Sequence, residues 1–255
     1  MSSVGSLYLV PNTLDFGAPG EPARLDELLP LGVIRVASRL EHWVCENART
    51  TRAFLKRVDA VCPLERPLQE LSIVELPRPR KGTSGGSALD FTVLLAPALA
   101  GHDLGLLSEA GLPALADPGA EIVAAAHAAG VRVVALPGAS AIALALAASG
   151  MNGQSFAFVG YVPVPADARA ARIRALEATS RRDEQTQVLI ETPYRNVALL
   201  DALLAHLQPA TVLSVSIGLS QAGGRTRSGA VSEWRRQPMS MPADVPAVFA
   251  FLARR

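Results

Sequence analysis

The chain has 255 residues, of which 49% are hydrophobic and 18% are charged, and its formal net charge is +1. This composition supplies enough apolar material for one large or two small cores, and it argues against a disordered or polyelectrolyte protein. Because the net charge is close to zero, a surface for nucleic acid would have to be local.

Several classes of protein are disfavoured by what the chain lacks. Cys45 and Cys62 form no C-x-x-C pair, so we expect reduced thiols in a cytoplasmic protein. The four histidines are scattered without metal-ligand spacing, and no metal is expected. Met1–Gly5 does not resemble the start of a signal peptide. The apolar stretch Ala120–Ala129 is too short to cross a bilayer, so no membrane partner is expected.

Short apolar runs alternate with helical patterns over the first 150 residues. The expected elements are a strand at Ser6–Pro11, a helix near Arg24–Leu29, a strand at His42–Glu46, a helix at Ala48–Val58, a strand at Leu71–Leu76, a basic loop at Pro77–Ser87, a helix at Ala88–Ala100, a strand at His102–Ser108, a helix at Glu121–Ala129, a strand at Val131–Leu136 and a helix at Ser140–Ser149. This alternation predicts a parallel sheet with crossover helices.

The polar, turn-forming segment Met151–Ser155 marks a change in composition, and we place a domain boundary there. It divides the chain into residues 1–150 and 151–255. The elements expected beyond it are a strand at Phe156–Val162, a helix at Asp167–Arg181, a strand at Gln187–Glu191, a helix at Arg195–Leu207, a strand at Thr211–Leu219, a loop at Gln221–Ser228 and a strand at Val245–Leu252. The expected fold class is therefore α/β, with two α/β domains and mixed, mostly parallel sheets.

Glycine and proline gather in two segments that follow predicted strands, Ser108–Gly119 and Pro137–Ser140. Ligands of open α/β sheets bind outside the carboxyl ends of the strands. Glycine there lets the backbone approach a ligand, and proline holds the loop rigid. Ordinary turns would need no ligand, but two such loops after successive strands favour a binding site. No G-x-G-x-x-G follows a strand, which argues against a Rossmann nucleotide site.

The same segments resemble motifs of the tetrapyrrole methylases, in the branch of bacterial 16S ribosomal RNA 2′-O-ribose methyltransferases. Ser108–Gly119 is similar to that branch's S-D-A-G-T-P-x-x-S-D-P-G, and Val133–Ser140 is similar to V-x-P-L-P-G-P-S. The further similar segments, in matching order, are Leu7–Pro11, Glu46–Leu55, Gly160–Pro163 and Glu191–Arg195. Together these motifs cover most of the chain and are specific as a set.

The sequence also departs from this branch at four places. Asn12–Gly17 stands where T-P-I-G-N-L is expected, Asn47 and Ala48 replace D-T, and Glu109 replaces an aspartate. Gly218–Arg225 replaces E-L-T-K-x-x-E. Other segments look more like a shorter sister branch, so the resemblance supports the cofactor more strongly than the substrate.

The resemblance implies that S-adenosylmethionine binds in a cleft between the two α/β domains. The positions implied as cofactor contacts are Pro11, Ser108, Glu109, Ala110, Gly111, Leu112, Ser140, Ala141, Glu191, Ser216 and Ile217. It also implies a homodimer, which the aliphatic helix Ile142–Ala148 suggests as well. The alternative is that this helix is simply part of the core.

Glu46, Arg49 and Arg52 are the candidate residues on the acceptor side. A ribose hydroxyl must lose its proton during methylation, and a carboxylate such as Glu46 is a suitable base, with Glu109 and Glu191 as other candidates. Arg49 and Arg52 follow Glu46 at i+3 and i+6 and would clamp a phosphate. The alternative is that Glu46 and Arg49 form a local surface ion pair.

We therefore expect a methyltransferase that acts on a ribose 2′-hydroxyl of ribosomal RNA. One alternative is methylation of a small, tetrapyrrole-like molecule, which the near-neutral charge favours. The other is a degenerate paralogue that binds the cofactor without catalysis, which the departures at Asn12–Gly17 and at Asn47 suggest.

Overall fold

A computed structural model describes residues 4–15, 23–77, 91–221, 223–242 and 244–254. These residues form two compact units, one of residues 4–15, 23–77 and 91–139 and one that begins at Ser140. Each unit contains a five-stranded sheet with helices, so the expected fold class of two α/β domains is confirmed. Apart from Pro77, the basic loop expected at Pro77–Ser87 lies outside the described residues. None of the described helices combines the length and apolar character needed to cross a membrane.

The first unit is built on a sheet whose paired strands are all parallel, in the order β3-β2-β4-β1-β5. Its strands are β1 (Ser6–Val10), β2 (His42–Cys45), β3 (Ser72–Glu75), β4 (Leu104–Leu107) and β5 (Arg132–Ala135). Its helices are α1 (Leu25–Leu28), α2 (Leu31–Arg39), α3 (Ala48–Asp59), α4 (Ala96–Leu99) and α5 (Gly119–Ala128). Because the strands run in one direction, their carboxyl ends lie at one edge of the sheet.

The central strand β4 shows why this sheet has helices on both faces. All four of its residues are buried. Leu107 packs in one apolar cluster with Phe54 of α3, and Leu106 packs in another with Ile122 of α5. Alternate side chains of a strand point to opposite faces, so a strand buried on both faces is a continuous apolar run.

The helix expected at Ala88–Ala100 is shorter in the structure. A 3₁₀ turn at Phe91–Leu95 precedes α4, and Pro97 lies in the first turn of that helix. Proline has no backbone N–H to donate and is tolerated only where that donor has no intrahelical partner. An α-helix therefore begins at Ala96 and does not run through the whole segment.

The second unit contains a mixed sheet in the order β6-β7-β10-β8-β9. Its strands are β6 (Phe156–Gly160), β7 (Thr186–Glu191), β8 (Val212–Ile217), β9 (Arg225–Ala230) and β10 (Ala247–Leu252). Its helices are α6 (Ala141–Ser149), α7 (Ala166–Asp183), α8 (Asn196–His206) and α9 (Val231–Arg236). Only β6 and β7 pair in parallel among the described strands of this sheet, and the other three pairs are antiparallel.

Helix α6 belongs to the second unit, although we expected the domain boundary after Gly150. Its buried residues Ile142, Ala145 and Leu146 pack against Val188 of β7 and Val248 of β10. The aliphatic face that suggested a dimer is therefore covered within the chain. The division between the units falls between Ala139 and Ser140 for the same reason.

The expected loop Gln221–Ser228 is wrong in its second half, where the structure has the edge strand β9 followed by α9. Strand β9 is rich in polar and charged residues and pairs with β8 alone. Charged side chains are usual on an edge strand, because one side of the strand remains unpaired. Trp234 of α9 is fully buried and donates a hydrogen bond to the Leu213 carbonyl oxygen at 2.9 Å, which anchors the helix.

Candidate functional site

Three of the predicted site residues begin the loops at the carboxyl edge of the first sheet. Pro11 follows β1, Glu46 follows β2 and Ser108 follows β4. Strand β4 lies between the other two, since Leu107 pairs with both Val10 and Cys45. Neighbouring strands are about 4.8 Å apart, so the three loops start side by side.

Asn12 fixes the loop Ser108–Leu112, and sequence analysis did not assign it this role. Its Nδ2 donates to the carbonyl oxygens of Ser108 at 3.1 Å and Glu109 at 3.0 Å. Its backbone N–H donates to the Gly111 carbonyl oxygen at 2.9 Å. The side chain is almost fully buried, so these bonds are shielded from water. The departure from the family pattern at Asn12 therefore holds the predicted cofactor loop in place.

Two glycines at this edge are closely approached by other protein atoms, which disfavours larger side chains there. Gly111 has φ of +69°, and a Cβ there would lie 3.2 Å from the Ala139 carbonyl oxygen. A Cβ on Gly138 would lie 2.2 Å from the Cβ of the buried Pro11. Only glycine accepts both the left-handed conformation and the close approach at Gly111. The two glycine-containing loops therefore pack tightly around the end of β1.

Glu46 turns toward the loop Ser108–Leu112. Its Oε2 accepts a hydrogen bond from the backbone N–H of Glu109 at 3.0 Å. Burial raises the pKa of Glu46, the Glu109 N–H partly opposes the rise, and the nearby Asp117 and Glu109 carboxylates add to it. No ion pair joins Glu46 to Arg49 among the described residues, so the surface-pair alternative is wrong. A carboxylate with a raised pKa takes up a proton more readily near neutral pH.

Asp117 fixes the second half of the longer segment Ser108–Gly119, and sequence analysis did not identify this role. Its Oδ1 accepts hydrogen bonds from Ala114 N–H at 2.9 Å and Gly119 N–H at 2.7 Å. Ala114 and Ala116 have φ of 65° and 69°. Left-handed backbone is unfavourable for alanine and persists only where its surroundings impose it. Strain of this kind concentrates at functional sites, so it supports this loop as a candidate site.

Arg49 and Arg52 lie on the first turns of α3 and are exposed. Asn47 caps this helix, since its Oδ1 accepts from Arg49 N–H at 2.9 Å and Thr50 N–H at 3.3 Å. Glu75 accepts from Ala48 N–H at 2.7 Å. Asparagine is among the best N-cap residues, so its presence in place of aspartate preserves the helix start.

Asp15, which lies in the same departing segment as Asn12, is paired with Arg57 of α3. Asp15 Oδ2 lies 3.1 Å from Arg57 Nη2, and Arg57 Nη1 donates to Thr13 Oγ1 at 3.1 Å. Burial would raise the pKa of Asp15, but hydrogen bonds from Thr13 and Arg57 hold it below its usual value. The Thr13 carbonyl oxygen in turn accepts from Gly111 N–H at 3.4 Å. The pair therefore braces the segment that supports the cofactor loop.

In the second unit, Ser140 and Ala141 lie at the start of α6. Ser140 is buried and is the N-cap of the helix, with its Oγ accepting from Ala143 N–H at 3.4 Å. Ala141 is half-buried in the first turn. The first turn of a helix presents backbone N–H groups that have no intrahelical partner, and these groups suit a carboxylate or phosphate.

The structure brings Glu191, Ser216 and Ile217 to one edge of the second sheet. Glu191 and Ile217 pair with the same residue, Ala247, from opposite sides. They are therefore two strands apart, or about 10 Å. Ser216 shares a hydrogen bond with Thr226, with 2.8 Å between the hydroxyl oxygens.

The Glu191 carboxylate is engaged within its own loop. Its Oε1 lies 2.5 Å from Arg195 Nη2, and its Oε2 accepts from Thr192 N–H at 2.8 Å. It is almost fully buried. Glu191 therefore shapes the segment after β7, and a direct cofactor contact by this side chain stays a prediction.

Comparison with known proteins places this architecture in a family. The model of the tetrapyrrole (corrin/porphyrin) methylases matches residues 24–224, which is most of the chain. The chain therefore belongs to this family, and the resemblance drawn from the sequence motifs is confirmed.

Two similar curated proteins are both named ribosomal RNA small subunit methyltransferase I. The one from Halalkalibacterium halodurans is 30% identical over 203 residues, which is 80% of this chain and 61% of that protein. The one from Micromonospora olivasterospora is 34% identical over 203 residues, which is 80% of this chain and 56% of that protein. The matched region thus spans about three fifths of the length of these relatives.

Among solved structures, the chain resembles uroporphyrin-III-C-methyltransferase from Thermus thermophilus. The TM-score is 0.53 with 23% identity, covering 97% of this chain and 92% of that one. At this level of identity the likeness is one of fold. It agrees with the family assignment.

Proposed function

We propose that the protein is an S-adenosylmethionine-dependent methyltransferase that methylates a ribose 2′-hydroxyl of ribosomal RNA. The observation that carries the proposal is the loop Ser108–Leu112, which Asn12 and Glu46 hold at the carboxyl edge of a parallel sheet. Family membership and the names of the curated relatives support the same reaction class.

The residues around this loop suit the cofactor. Gly111 and Gly138 let neighbouring protein atoms pack closely at the strand ends, where an added Cβ would meet the Ala139 carbonyl oxygen and Pro11 respectively. Small residues and backbone donors of this kind accommodate an adenosine and an amino-acid carboxylate. When bound, S-adenosylmethionine supplies an electrophilic methyl group. The contacts assigned to Ser140, Ala141, Glu191, Ser216 and Ile217 remain predictions.

The acceptor side is assigned to Glu46 and the two exposed arginines. Glu46 would receive the proton of the ribose hydroxyl, since burial and neighbouring carboxylates raise its pKa. Arg49 and Arg52 would grip a phosphate beside that ribose with charge-assisted hydrogen bonds. Alignment of the hydroxyl with the methyl group, at about 3–3.5 Å between the reacting atoms, accounts for much of the rate of such a transfer.

The proposal is tested by incubating the protein with methyl-labelled S-adenosylmethionine and three acceptors in parallel. These are small ribosomal subunits, protein-free ribosomal RNA and the small-molecule fraction of a lysate. We expect label in RNA, in a dinucleotide that survives alkaline hydrolysis, because a methylated 2′-oxygen does not attack the adjacent phosphate. Label confined to the small-molecule fraction would contradict RNA as the acceptor.

Two variants test the cofactor loop in the same assay. Gly111→Val introduces a β-branched side chain at φ of +69°, so the loop must move and the affinity for S-adenosylmethionine should fall. Gly153→Val is the matched control, since a Cβ there has no neighbour within 4 Å. Equal cofactor affinities for both variants in calorimetry would show that this loop does not bind S-adenosylmethionine.

Methylation of a small, tetrapyrrole-like molecule is the second candidate, and the net charge of +1 favours it. RNA binding releases many counterions and weakens steeply with added salt, whereas binding of a small acceptor with few charges weakens much less. A third candidate is a cofactor-binding paralogue without catalysis. It predicts a calorimetric heat with S-adenosylmethionine and no label in any acceptor.

We also propose that the protein is a cytoplasmic homodimer. Two-fold dimers are the commonest soluble oligomers. Light scattering at micromolar concentration should give about twice the chain mass of 26.7 kDa. A single species at the chain mass would contradict the dimer.

A further inference from the structure

Two tyrosines lie at the carboxyl ends of neighbouring strands in the second unit. Tyr161 directly follows β6, and Tyr194 lies three positions after the end of β7. Strands β6 and β7 pair in parallel, with Gly160 opposite Leu189, so both tyrosines are at the same edge of the sheet. Glu191, Ser216 and Ile217 lie at this edge as well.

Both tyrosine side chains are largely open to solvent. Tyr161 is 58% exposed and Tyr194 is 75% exposed. Tyrosine more often covers most of its ring with protein, and contiguous exposed aromatic surface is characteristic of binding sites. Val164 and Val197 add exposed apolar surface in the loop after β6 and on α8.

The turn that contains Tyr194 is fixed by contacts of the Glu191 carboxylate. Tyr194 is the middle residue of a 3₁₀ turn, Pro193–Arg195. The buried Glu191 carboxylate binds Arg195 at 2.5 Å and Thr192 N–H at 2.8 Å, on either side of the tyrosine. An exposed ring on a braced turn loses little conformational freedom when a ligand binds.

Tyr161 is fixed in a comparable way. Gly160, with φ of +68°, turns the chain at the end of β6, and Val162 on the other side of the tyrosine is buried. Further along, Arg169 of α7 donates to the Val164 carbonyl oxygen at 3.2 Å. The ring therefore projects from a segment that is anchored at both ends.

Arginine side chains follow the loop after β6, at this edge of the second sheet. Helix α7 begins next to the loop after β6, and its first nine residues carry Arg169, Arg172 and Arg174 against one acid, Asp167. None of these arginines is in an ion pair among the described residues. Aromatic rings beside unpaired arginines are the combination that binds single-stranded nucleic acid, through base stacking and phosphate contacts.

We propose that Tyr161 and Tyr194 form a stacking surface for an unpaired base of the RNA acceptor. The inference rests on the proposed function and specifies how the second unit contributes to it. A flat, exposed ring stacks on any base, so this surface holds the strand and does not select its sequence.

The test measures binding of a fluorescein-labelled 12-nucleotide single-stranded RNA of mixed sequence by anisotropy. We expect Tyr161→Ala and Tyr194→Ala each to weaken RNA binding by about 5- to 150-fold, the range for loss of one stacked base. Tyr161→Phe and Tyr194→Phe retain the ring and should stay within about twofold of the wild type. Affinity for S-adenosylmethionine in calorimetry should be the same in all four variants.

Phe156→Ala is the matched control. Phe156 is an aromatic residue at the opposite end of β6 and is 45% exposed, and its loss should leave RNA binding unchanged. Unchanged RNA binding in both alanine variants would overturn the inference while leaving the proposed function intact. A shift from dimer to monomer in those variants would also overturn it, because the tyrosines would then contact a second copy. Failure of the wild type to bind or methylate RNA would instead defeat the proposed function.

Discussion

The carboxylate of Glu46 accepts a hydrogen bond from the backbone N–H of Glu109, at 3.0 Å, across 63 positions of sequence. This contact joins the end of β2 to the loop after β4. It places the candidate base against the candidate cofactor loop. A change at Glu46 is therefore expected to act on the position of this loop as well as on the proposed proton transfer.

Replacement of Glu46 by glutamine should raise the melting temperature near pH 8 and lower the rate of methyl transfer. A carboxyl with a raised pKa binds its proton more tightly in the folded chain than in the unfolded one. Its contribution to stability is fully present at low pH and is lost as pH rises from the ordinary value through the raised value. Glutamine does not ionise, so the variant does not lose this stability as pH rises. The difference in melting temperature between the variant and the wild type should therefore disappear toward pH 4.

Calorimetric scans between pH 4 and pH 8, with single-turnover transfer at pH 7.5, provide the measurement. Glu75→Gln is the control, since Glu75 is exposed at the end of β3 and its carboxylate binds Ala48 N–H. Its transfer rate should equal that of the wild type. A Glu46→Gln variant as fast as the wild type would remove Glu46 as the base.

Asn12→Asp should weaken cofactor binding by about tenfold and destabilise the fold. Aspartate keeps the shape of the side chain but has no N–H to donate to the carbonyl oxygens of Ser108 and Glu109. Leaving buried acceptors without partners costs about 1–3 kcal/mol. Urea denaturation measures the stability, and calorimetry measures the affinity for S-adenosylmethionine.

Asn152→Asp is a close control for Asn12. Asn152 also donates from Nδ2 to a backbone carbonyl oxygen, that of Glu184 at 2.8 Å, but this bond is exposed to solvent. We expect a smaller loss of stability and an unchanged cofactor affinity. If both variants bound S-adenosylmethionine like the wild type, Asn12 would support the fold without shaping the site.

The sequence allowed the prediction of features that depend on local pattern. Strand β4, at the centre of the first sheet, is a continuous apolar run. The glycines of Ser108–Gly119 signal a loop at its end. Asn12 could not be recognised in this way, because the carbonyl groups that it binds lie 96 and 97 positions away. Asp117 binds N–H groups two and three positions away, and these converge on its carboxylate only in the folded loop. Strand β9 was missed because edge strands tolerate the polar residues that otherwise indicate a loop. Helix α6 was assigned to the wrong unit because its apolar face does not reveal which sheet it covers.

The pair of Asp15 and Arg57 should stabilise the protein more than an exposed ion pair does. Their side chains are 11% and 24% exposed. In a double-mutant cycle with Asp15→Asn and Arg57→Met, we expect a coupling free energy on the order of 0.5–3 kcal/mol. The pKa of Asp15 is lowered, so this stability is present above the ordinary aspartate value and is lost as pH falls through the lowered value.

Glu41 and Arg66 form the comparison pair for this cycle, with side chains 47% and 56% exposed. Exposed pairs of this kind contribute between about 0 and 1 kcal/mol. Urea denaturation at pH 7 for both cycles provides the measurement. Equal coupling in the two cycles would mean that Asp15 and Arg57 contribute no more than a surface contact.

The double substitution of Arg49 and Arg52 by alanine separates the acceptor side from the cofactor side. Both arginines are exposed on the first turns of α3, beside Glu46. If these arginines bind phosphate, each substitution removes a charge-assisted contact worth on the order of 1.5–3 kcal/mol. The affinity for RNA should then fall tenfold or more. Affinity for S-adenosylmethionine should stay within about twofold, since neither arginine side chain has a hydrogen bond or ion pair to the described loop Ser108–Leu112.

The salt dependence of RNA binding supplies an independent measurement of the same change. The log–log slope of affinity against salt should shrink by about two for a duplex and by less for a single strand. Replacing Arg66 and Arg132 by alanine removes the same charge from exposed positions, one of them at the start of β5. That variant should keep both the RNA affinity and the slope. Equal loss of RNA and cofactor binding in the Arg49 and Arg52 variant, together with a lower melting temperature, would show that these arginines support α3 and do not touch the acceptor.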